Sequence, residues 1–289
     1  MTMLHETRWT EKYGEWAFVA GSSEGLGAAF ATEAAKRGFN IVLLARREHL
    51  LKQVAARLTA DYGVEVRWIV ADLAEVDSWP KIFSVLDAID LGLFIYNAAA
   101  EPQGVFTDIS FAEHQRNIVV NCTTPTALTH HISQSMILRG RGAIVLVGSR
   151  AGEQGIARFV SYGAAKSYEI LLGEGLWYEL GEHGIEAFTY VVGATATPKF
   201  LARMKDFINS QGESRLDSED GESGRNLNSP KTPEQVAERL FASFGSGPRA
   251  YSHESDEQNV MDNIGKSRAQ IVSEISDVMV KAYTSLAED

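Results

Sequence analysis

The most pointed chemistry in this chain lies in one short stretch, where Ser149, Tyr162 and Lys166 follow one another. A lone phenol titrates near pH ~10 and is a poor acid or base at neutrality. Tyr162 and Lys166 are four residues apart in a segment that turns helical from Phe159, so their side chains share one helix face. An ammonium held there favours phenolate and lowers the phenol pKa by roughly two units, each worth about 1.4 kcal/mol. The Ser149 hydroxyl can hydrogen-bond the same substrate oxygen. Tyr-x-x-x-Lys alone is also the pattern of a lysine snorkelling beside a half-buried tyrosine. What separates the two readings is an upstream motif that calls for such a partner.

That motif follows the first apolar run. Trp16–Ala20 reads as a buried strand, Gly21-Ser-Ser-Glu-Gly25-Leu-Gly27 as its turn, and Ala28 to Arg37 as a helix. Glycines at a strand-to-helix junction let backbone approach a pyrophosphate seated on the helix N-terminus. A glycine-rich turn with no ligand is the competing reading. Asn40–Ala45 is a second strand, and Arg46-Arg47 open the next helix. An acidic residue at this strand end would accept from a ribose 2'-hydroxyl. None is present, so Arg46 is expected to hold a 2'-phosphate, which favours NADP over NAD. An arginine merely solvated at a helix start is the alternative. Asp72, after a third strand Glu65–Val70, is placed either to bond an adenine amino group or to cap the following helix.

The elements needed to position these groups recur along the chain. Leu91–Tyr96 is a fourth strand ending at Asn97-Ala98-Ala99-Ala100, small residues suited to lie against a flat ligand or a close-packed helix. Ser110 to Leu138 is one long helical segment containing Asn121, with Pro125 distorting its ladder. Ala143–Gly148 is a fifth strand that delivers Ser149 to the sheet's carboxyl edge. The Tyr162 helix runs to about Gly181, and its Ile170, Leu171, Trp177 and Leu180 serve either the core or a helix–helix oligomer contact. Glu186–Val192 is a sixth strand leading to Gly193 and Thr197. Residues from about 198 to 230 read as an amphipathic lid helix (Phe200, Leu201, Met204, Phe207, Ile208) and a polar flexible loop. A helix from Pro233 to about Phe244, capped by Thr232, precedes a short strand Arg249–Tyr251. The chain closes on a helical extension over about 257–287. Alternating strands and helices predict an α/β, Rossmann-type, doubly wound parallel sheet, one catalytic domain spanning 1–289 with a lid insertion.

Composition narrows the function. The net charge of -11 argues against a nucleic-acid partner, because phosphate binding needs a basic face. Cys122 is alone, which rules out an internal disulfide and a zinc cluster, and no metal site is expected. The polar N-terminus lacks a signal-peptide core, and no run approaches the ~20 apolar residues of a membrane span. A soluble, cytoplasmic protein is expected.

Taken in order, these motifs resemble those of a classical short-chain dehydrogenase/reductase over roughly residues 14–251. Gly21, Gly25 and Gly27 match that family's T-G-x-x-x-G-x-G, with Ala20 in place of Thr. Tyr96-Asn97-Ala98-Ala99 stands for its N-N-A-G, and Gly193 and Thr197 match its P-G-x-x-x-T with Val192 in place of Pro. Asn121, Ser149, Tyr162 and Lys166 match its catalytic tetrad. The resemblance implies that Tyr162 exchanges a proton with the substrate oxygen, and that Lys166 binds the nicotinamide ribose and acidifies Tyr162. It implies further that Ser149 orients the substrate oxygen and Asn121 holds a water feeding Lys166. Cofactor contacts are implied at the loop residues Gly21, Ser22, Ser23, Gly25, Leu26 and Gly27, and at Arg46, Asp72 and Leu73. They are implied also at Asn97, Ala98, Tyr162, Lys166, Gly193, Thr195 and Thr197. The activity implied is NADP(H)-dependent interconversion of a ketone and its secondary alcohol. The apolar front of the lid with Gln154, Ile156 and Phe159 points to a hydrophobic ketone. The Gly-Ser-Ser-Glu-Gly loop and Leu-Leu-Ala-Arg-Arg strand end are similar to those of members acting on steroid or 3-oxoacyl substrates, and a homodimer or homotetramer is expected. A non-catalytic NADP(H) sensor on the same fold is the alternative, and an epimerase or dehydratase of the extended branch would need more chain after Thr197.

Overall fold

The computed structural model describes residues 8–202 and 230–284. Seven strands form one sheet in the order β3-β2-β1-β4-β5-β6-β7, and every pairing is parallel. They are β1 Trp16–Ala20, β2 Asn40–Ala45, β3 Val66–Val70, β4 Leu91–Tyr96, β5 Gly142–Ser149, β6 Ile185–Val192 and β7 Arg249–Tyr251. The helices that connect and cover them begin with α1 Trp9–Tyr13, α2 Gly25–Lys36, α3 Glu48–Tyr62 and α4 Trp79–Leu86. Then come α5 Phe111–Ile118, α6 Thr124–Arg139 and α7 Val160–Gly181. The series ends with α8 Pro233–Ala242, α9 Glu254–Asp262 and α10 Arg268–Thr284. The doubly wound, Rossmann-type sheet read from the sequence is the one found.

Strands β1 and β4 are buried along their whole length, which only continuous apolar runs tolerate. Alternate residues feed opposite faces: Ala17 and Val19 join the core that includes Phe30 and Leu43, whereas Trp16 and Phe18 join the one that includes Phe94 and Leu128. Phe18 and Phe94 stack across the β1–β4 seam with ring centroids 5.3 Å apart. Each such fully buried ring contributes roughly 1.5–3 kcal/mol.

That seam is the topological switch point, because the chain winds from β1 outward to β3 and then returns to β4 on the other side. Ligands of open parallel sheets bind outside the carboxyl ends of strands at such a point. The register sets Ala20 beside Tyr96, so the glycine loop after β1 and the Asn97–Ala98 segment after β4 emerge side by side.

Two expected elements differ in detail. The long helix over 110–138 is α5 and α6 joined by a π-helical turn, Val119–Thr123. Pro125 lacks an N–H, so the Asn121 carbonyl loses its ordinary partner four residues on. The C-terminal extension is two helices, broken at Asn263–Ser267, where Gly265 takes φ +97. The lid reading rests mostly on residues outside those described; 198–202 are helical. Among the described residues no helix is long and apolar enough to cross a membrane.

Candidate active site

The glycine loop is built by close approaches that admit no side chain. Gly21 takes φ +83, and a Cβ on it would lie 2.7 Å from Ala98 Cα. Gly25 takes φ +56 at the first position of α2, beside Thr197 from the far side of the cleft. Asn97 locks the loop by donating its Nδ2 to the Gly21 carbonyl at 2.9 Å. Ser22 is fully buried, and its hydroxyl accepts the Leu44 N–H at 3.0 Å, so it ties the loop to β2. Leu26 packs against the apolar core under α2. A bare backbone loop feeding a twelve-residue helix N-terminus fits a dinucleotide pyrophosphate.

The adenosine end is rich in arginine. Arg47 reaches back to the loop, donating to Ser23 Oγ at 3.0 Å and pairing with Glu24. Arg46 is two-thirds exposed and stands 3.9 Å from Asp72. Asp72 is engaged elsewhere: Arg116 grips both of its oxygens at 2.8 and 2.9 Å, and Oδ1 accepts the Ala74 N–H. That is the geometry of an Asx turn. Burial alone would raise the Asp72 carboxyl, but the Ala74 amide and Arg116 outweigh it and hold it below its ordinary value. Leu73 is buried, and its carbonyl accepts the Thr124 hydroxyl at 2.7 Å. Arg116 was missed in the sequence because its partner is 44 residues away and no local spacing marks the pair.

Strand β5 and helix α7 bring the chemical groups together. The loop Arg150–Gly152 lies against α7 through two contacts that exclude Cβ atoms: Gly152 on the Lys166 backbone and Gly163 on the Ala151 carbonyl. Ser149 at the end of β5 is thereby fixed relative to the helix, its Oγ accepting the Ala151 N–H at 3.2 Å. Tyr162 and Lys166 are both buried, with Lys166 Nζ 6.0 Å from the Tyr162 ring centre. Nζ donates to the Val147 carbonyl at 2.9 Å and to Glu169 at 2.7 Å. Asn121 is fully buried in the π turn, bonded through its amide to the Ala100 carbonyl and N–H and to Asn117 Oδ1. Asn117 in turn donates to the Ser161 carbonyl at 2.8 Å. This chain ties the segment after β4 to the first turn of α7, next to Tyr162.

The β6 end closes the cleft. Gly193 sits where a Cβ would meet Asp256 and His253, and its N–H donates to Ser252 Oγ at 2.9 Å. Thr195 is buried with its hydroxyl on the Gly193 carbonyl, and Thr197 Oγ1 accepts the Phe200 N–H. Beyond Ser149, Gln154 and Ile156 are buried, and the loop is covered by α10, whose Ser276 Oγ accepts the Ala157 N–H at 3.0 Å. Sequence reasoning did not connect the C-terminal helix to this loop, since 119 residues separate the two partners. Among the described residues no cluster of metal-ligating side chains occurs.

Comparison with known proteins finds relatives of the same fold. The short chain dehydrogenase family model matches residues 15–206. A 7beta-hydroxysteroid dehydrogenase of Clostridium sardiniense is 32% identical over 191 residues, covering 66% of this chain and 73% of its own. A structure from a study of 7beta-hydroxysteroid dehydrogenase stereoselectivity superposes with a TM-score of 0.82 at 26% identity, covering 93% of this chain and 99% of that one. A short-chain dehydrogenase from Sphingobium yanoikuyae in complex with NADPH gives 0.70 at 25% identity, over 86% and 92% of the two chains.

Proposed function

Because the chain belongs to the short-chain dehydrogenase family, we propose that it is an NADP(H)-dependent oxidoreductase interconverting a hydrophobic, steroid-like ketone and its secondary alcohol. The observation that carries this reading is the buried Tyr162–Lys166 pair on α7, a helix packed directly on the loop that follows Ser149. When bound, the nicotinamide supplies or accepts the hydride. Tyr162 donates a proton to the carbonyl oxygen in reduction and removes it in oxidation. Ser149 hydrogen-bonds the same oxygen and orients it. Lys166 holds the nicotinamide ribose and its charge favours the phenolate, while Asn121 keeps the segment after β4 registered against α7. The Gly193–Thr197 segment holds the carboxamide. The substrate class is supported by the apolar wall at Ile156 and by the names of the relatives.

Incubating the protein with NADPH and a panel of 7-oxosteroids, aryl ketones and 3-oxoacyl thioesters tests the proposal by loss of reduced-nicotinamide absorbance. Binding of NADPH without turnover of any of them would replace the enzyme with a sensor. The NADP preference rests on Arg46 and on the lack of an acid at the end of β2. Arg46→Ala should weaken NADPH by roughly tenfold or more, as loss of a charge-assisted contact worth about 1.5–3 kcal/mol implies, and leave NADH little changed. Equal losses for both would remove the 2'-phosphate role.

The protein is further proposed to be cytoplasmic and to assemble through α7. Ile170 and Leu180 are core residues, but Leu171, Trp177 and Tyr178 are exposed on the same helix. An apolar face of this kind is expected to be covered by a second copy. Leu171→Glu should convert a dimer or tetramer to a smaller species in sedimentation; an unchanged species, or a wild-type monomer, would count against it.

A further inference from the structure

Among the buried ionisable groups that the proposed mechanism does not use, Glu169 stands nearest its chemistry, in contact with Lys166. It lies one turn beyond Lys166 on α7 and is completely buried, in a helix whose other buried residues, Tyr162 and Lys166 apart, are small or apolar. Its Oε2 accepts from Lys166 Nζ at 2.7 Å, and its Oε1 has no hydrogen-bond partner. Its backbone carbonyl accepts the Thr189 hydroxyl, which fixes the residue against β6. Lys166 therefore enters the site with one of its three N–H groups on Val147 and one on a carboxylate.

We propose that Glu169 is a positioning residue for Lys166: its buried carboxylate aims the ammonium and offsets the pull of that charge on the Tyr162 phenol. The inference rests on the proton-donor role proposed for Tyr162. A cation acidifies a neighbouring phenol by favouring the charged form, and a carboxylate in contact with that cation cancels part of the field. Tyr162 then stays protonated at neutral pH, the state from which ketone reduction begins. The other titratable groups facing Glu169 are the Tyr96 phenol on β4 and the Cys122 thiol in the π turn. Burial first, and then the Glu169 charge, push both upward, Cys122 to about 11. Both are neutral through the working range, so Lys166 is the one charge among these facing groups. Burial likewise raises Glu169, to about 7, against the opposing pull of Lys166. The offset is present above that pH and is lost as the carboxyl protonates below it.

The test reads Tyr162 directly and needs no substrate. Tyrosinate absorbance of the cofactor-free protein is titrated for wild type against Tyr162→Phe, and for Glu169→Gln against the Glu169→Gln/Tyr162→Phe double variant. Glutamine keeps the acceptor oxygen and loses the charge. The Tyr162 transition should move to lower pH by about one unit in Glu169→Gln, and the acid limb of alcohol oxidation should move with it. An unmoved transition would show a purely structural contact and overturn the proposal. Carboxyl carbon NMR of glutamate-labelled wild type guards against a variant that fails to fold. A Glu169 carboxyl, assigned by its absence in Glu169→Gln, that is ionised across the Tyr162 transition supports the offset, and one still protonated there overturns it. A shifted tyrosinate in a protein that turns over no ketone would leave the Glu169–Lys166 pair standing and sink the proposed enzyme instead.

Discussion

Tyr162→Phe is expected to cut the chemical step by roughly 100- to 10,000-fold, the usual contribution of a positioned acid or base. Dinucleotide binding should stay close to wild type. The two effects separate because the phenol oxygen is the only atom removed, while the ring that packs near Phe159, at 6.3 Å between centroids, is retained. The glycine loop and the β6 end keep bonds of their own, Asn97 Nδ2 on the Gly21 carbonyl and the Thr195 hydroxyl on the Gly193 carbonyl, which the substitution leaves in place. Single-turnover kinetics with saturating NADPH and a reactive ketone reads the loss, and fluorescence titration of NADPH reads the binding. Turnover that survives the substitution would transfer the proton to another group and leave Ser149 as the first alternative. A matching loss of dinucleotide affinity would mean that Tyr162 supports the cleft instead of the chemistry.

How far the sequence carried the fold follows from burial. The bounds of β1, β2 and β4 agree with the sequence reading because each is a largely apolar run that stops at a glycine, a polar residue or a charge, and the three-residue β7, Arg249–Tyr251, also falls where it was read. The helices were harder. α1 is a single five-residue piece, and α4 is eight residues long, too short for periodicity alone to establish. The π turn was signalled by Pro125, yet a proline specifies only where a ladder breaks and not how the chain repairs it. The sequence reading ran one helix through Gly265, whereas its φ of +97 sits in the break between α9 and α10.

The site divides along a similar line. Tyr162 and Lys166 were legible because helical spacing alone puts them together. The partners of Asp72, Asn121 and Gly193 are Arg116, Ala100 and Ser252, each brought in by the winding of the sheet. Glu169 carried a signal that went unread: an acid three residues after Lys166, between Tyr168 and Ile170, must either leave the helix face or pair with the lysine. The structure places it in the pair.

Gly27→Ala should be the most damaging methyl in the molecule. A Cβ at Gly27 would stand 2.0 Å from the Gly21 carbonyl oxygen and 2.8 Å from Asn97 Nδ2. Neither neighbour can swing aside. The oxygen is backbone and already accepts the Asn97 amide, while Gly21 is pinned at φ +83 against Ala98. The first turn of α2 must therefore retreat from the β1 end, pulling its N–H groups out of line with any phosphate. Overpacking of this kind costs about 1–3 kcal/mol, which for a chain of this size lowers Tm by roughly 2–4 °C per kcal/mol. Affinity for NADPH and NADH should fall together, since the pyrophosphate is common to both. Gly175→Ala is the matched control: it lies inside α7 with nothing within 4 Å of its Cβ. In the Leu171→Glu background, where the α7 face is freed of a second copy, alanine there should stabilise by up to about 1 kcal/mol through helix propensity. Thermal unfolding of the two variants, paired with dinucleotide titration, gives opposite signs if the glycine loop is a backbone cradle. A Gly27→Ala protein with wild-type Tm and wild-type affinity would mean that the turn can open, and the close packing that makes it a phosphate site would lose its basis.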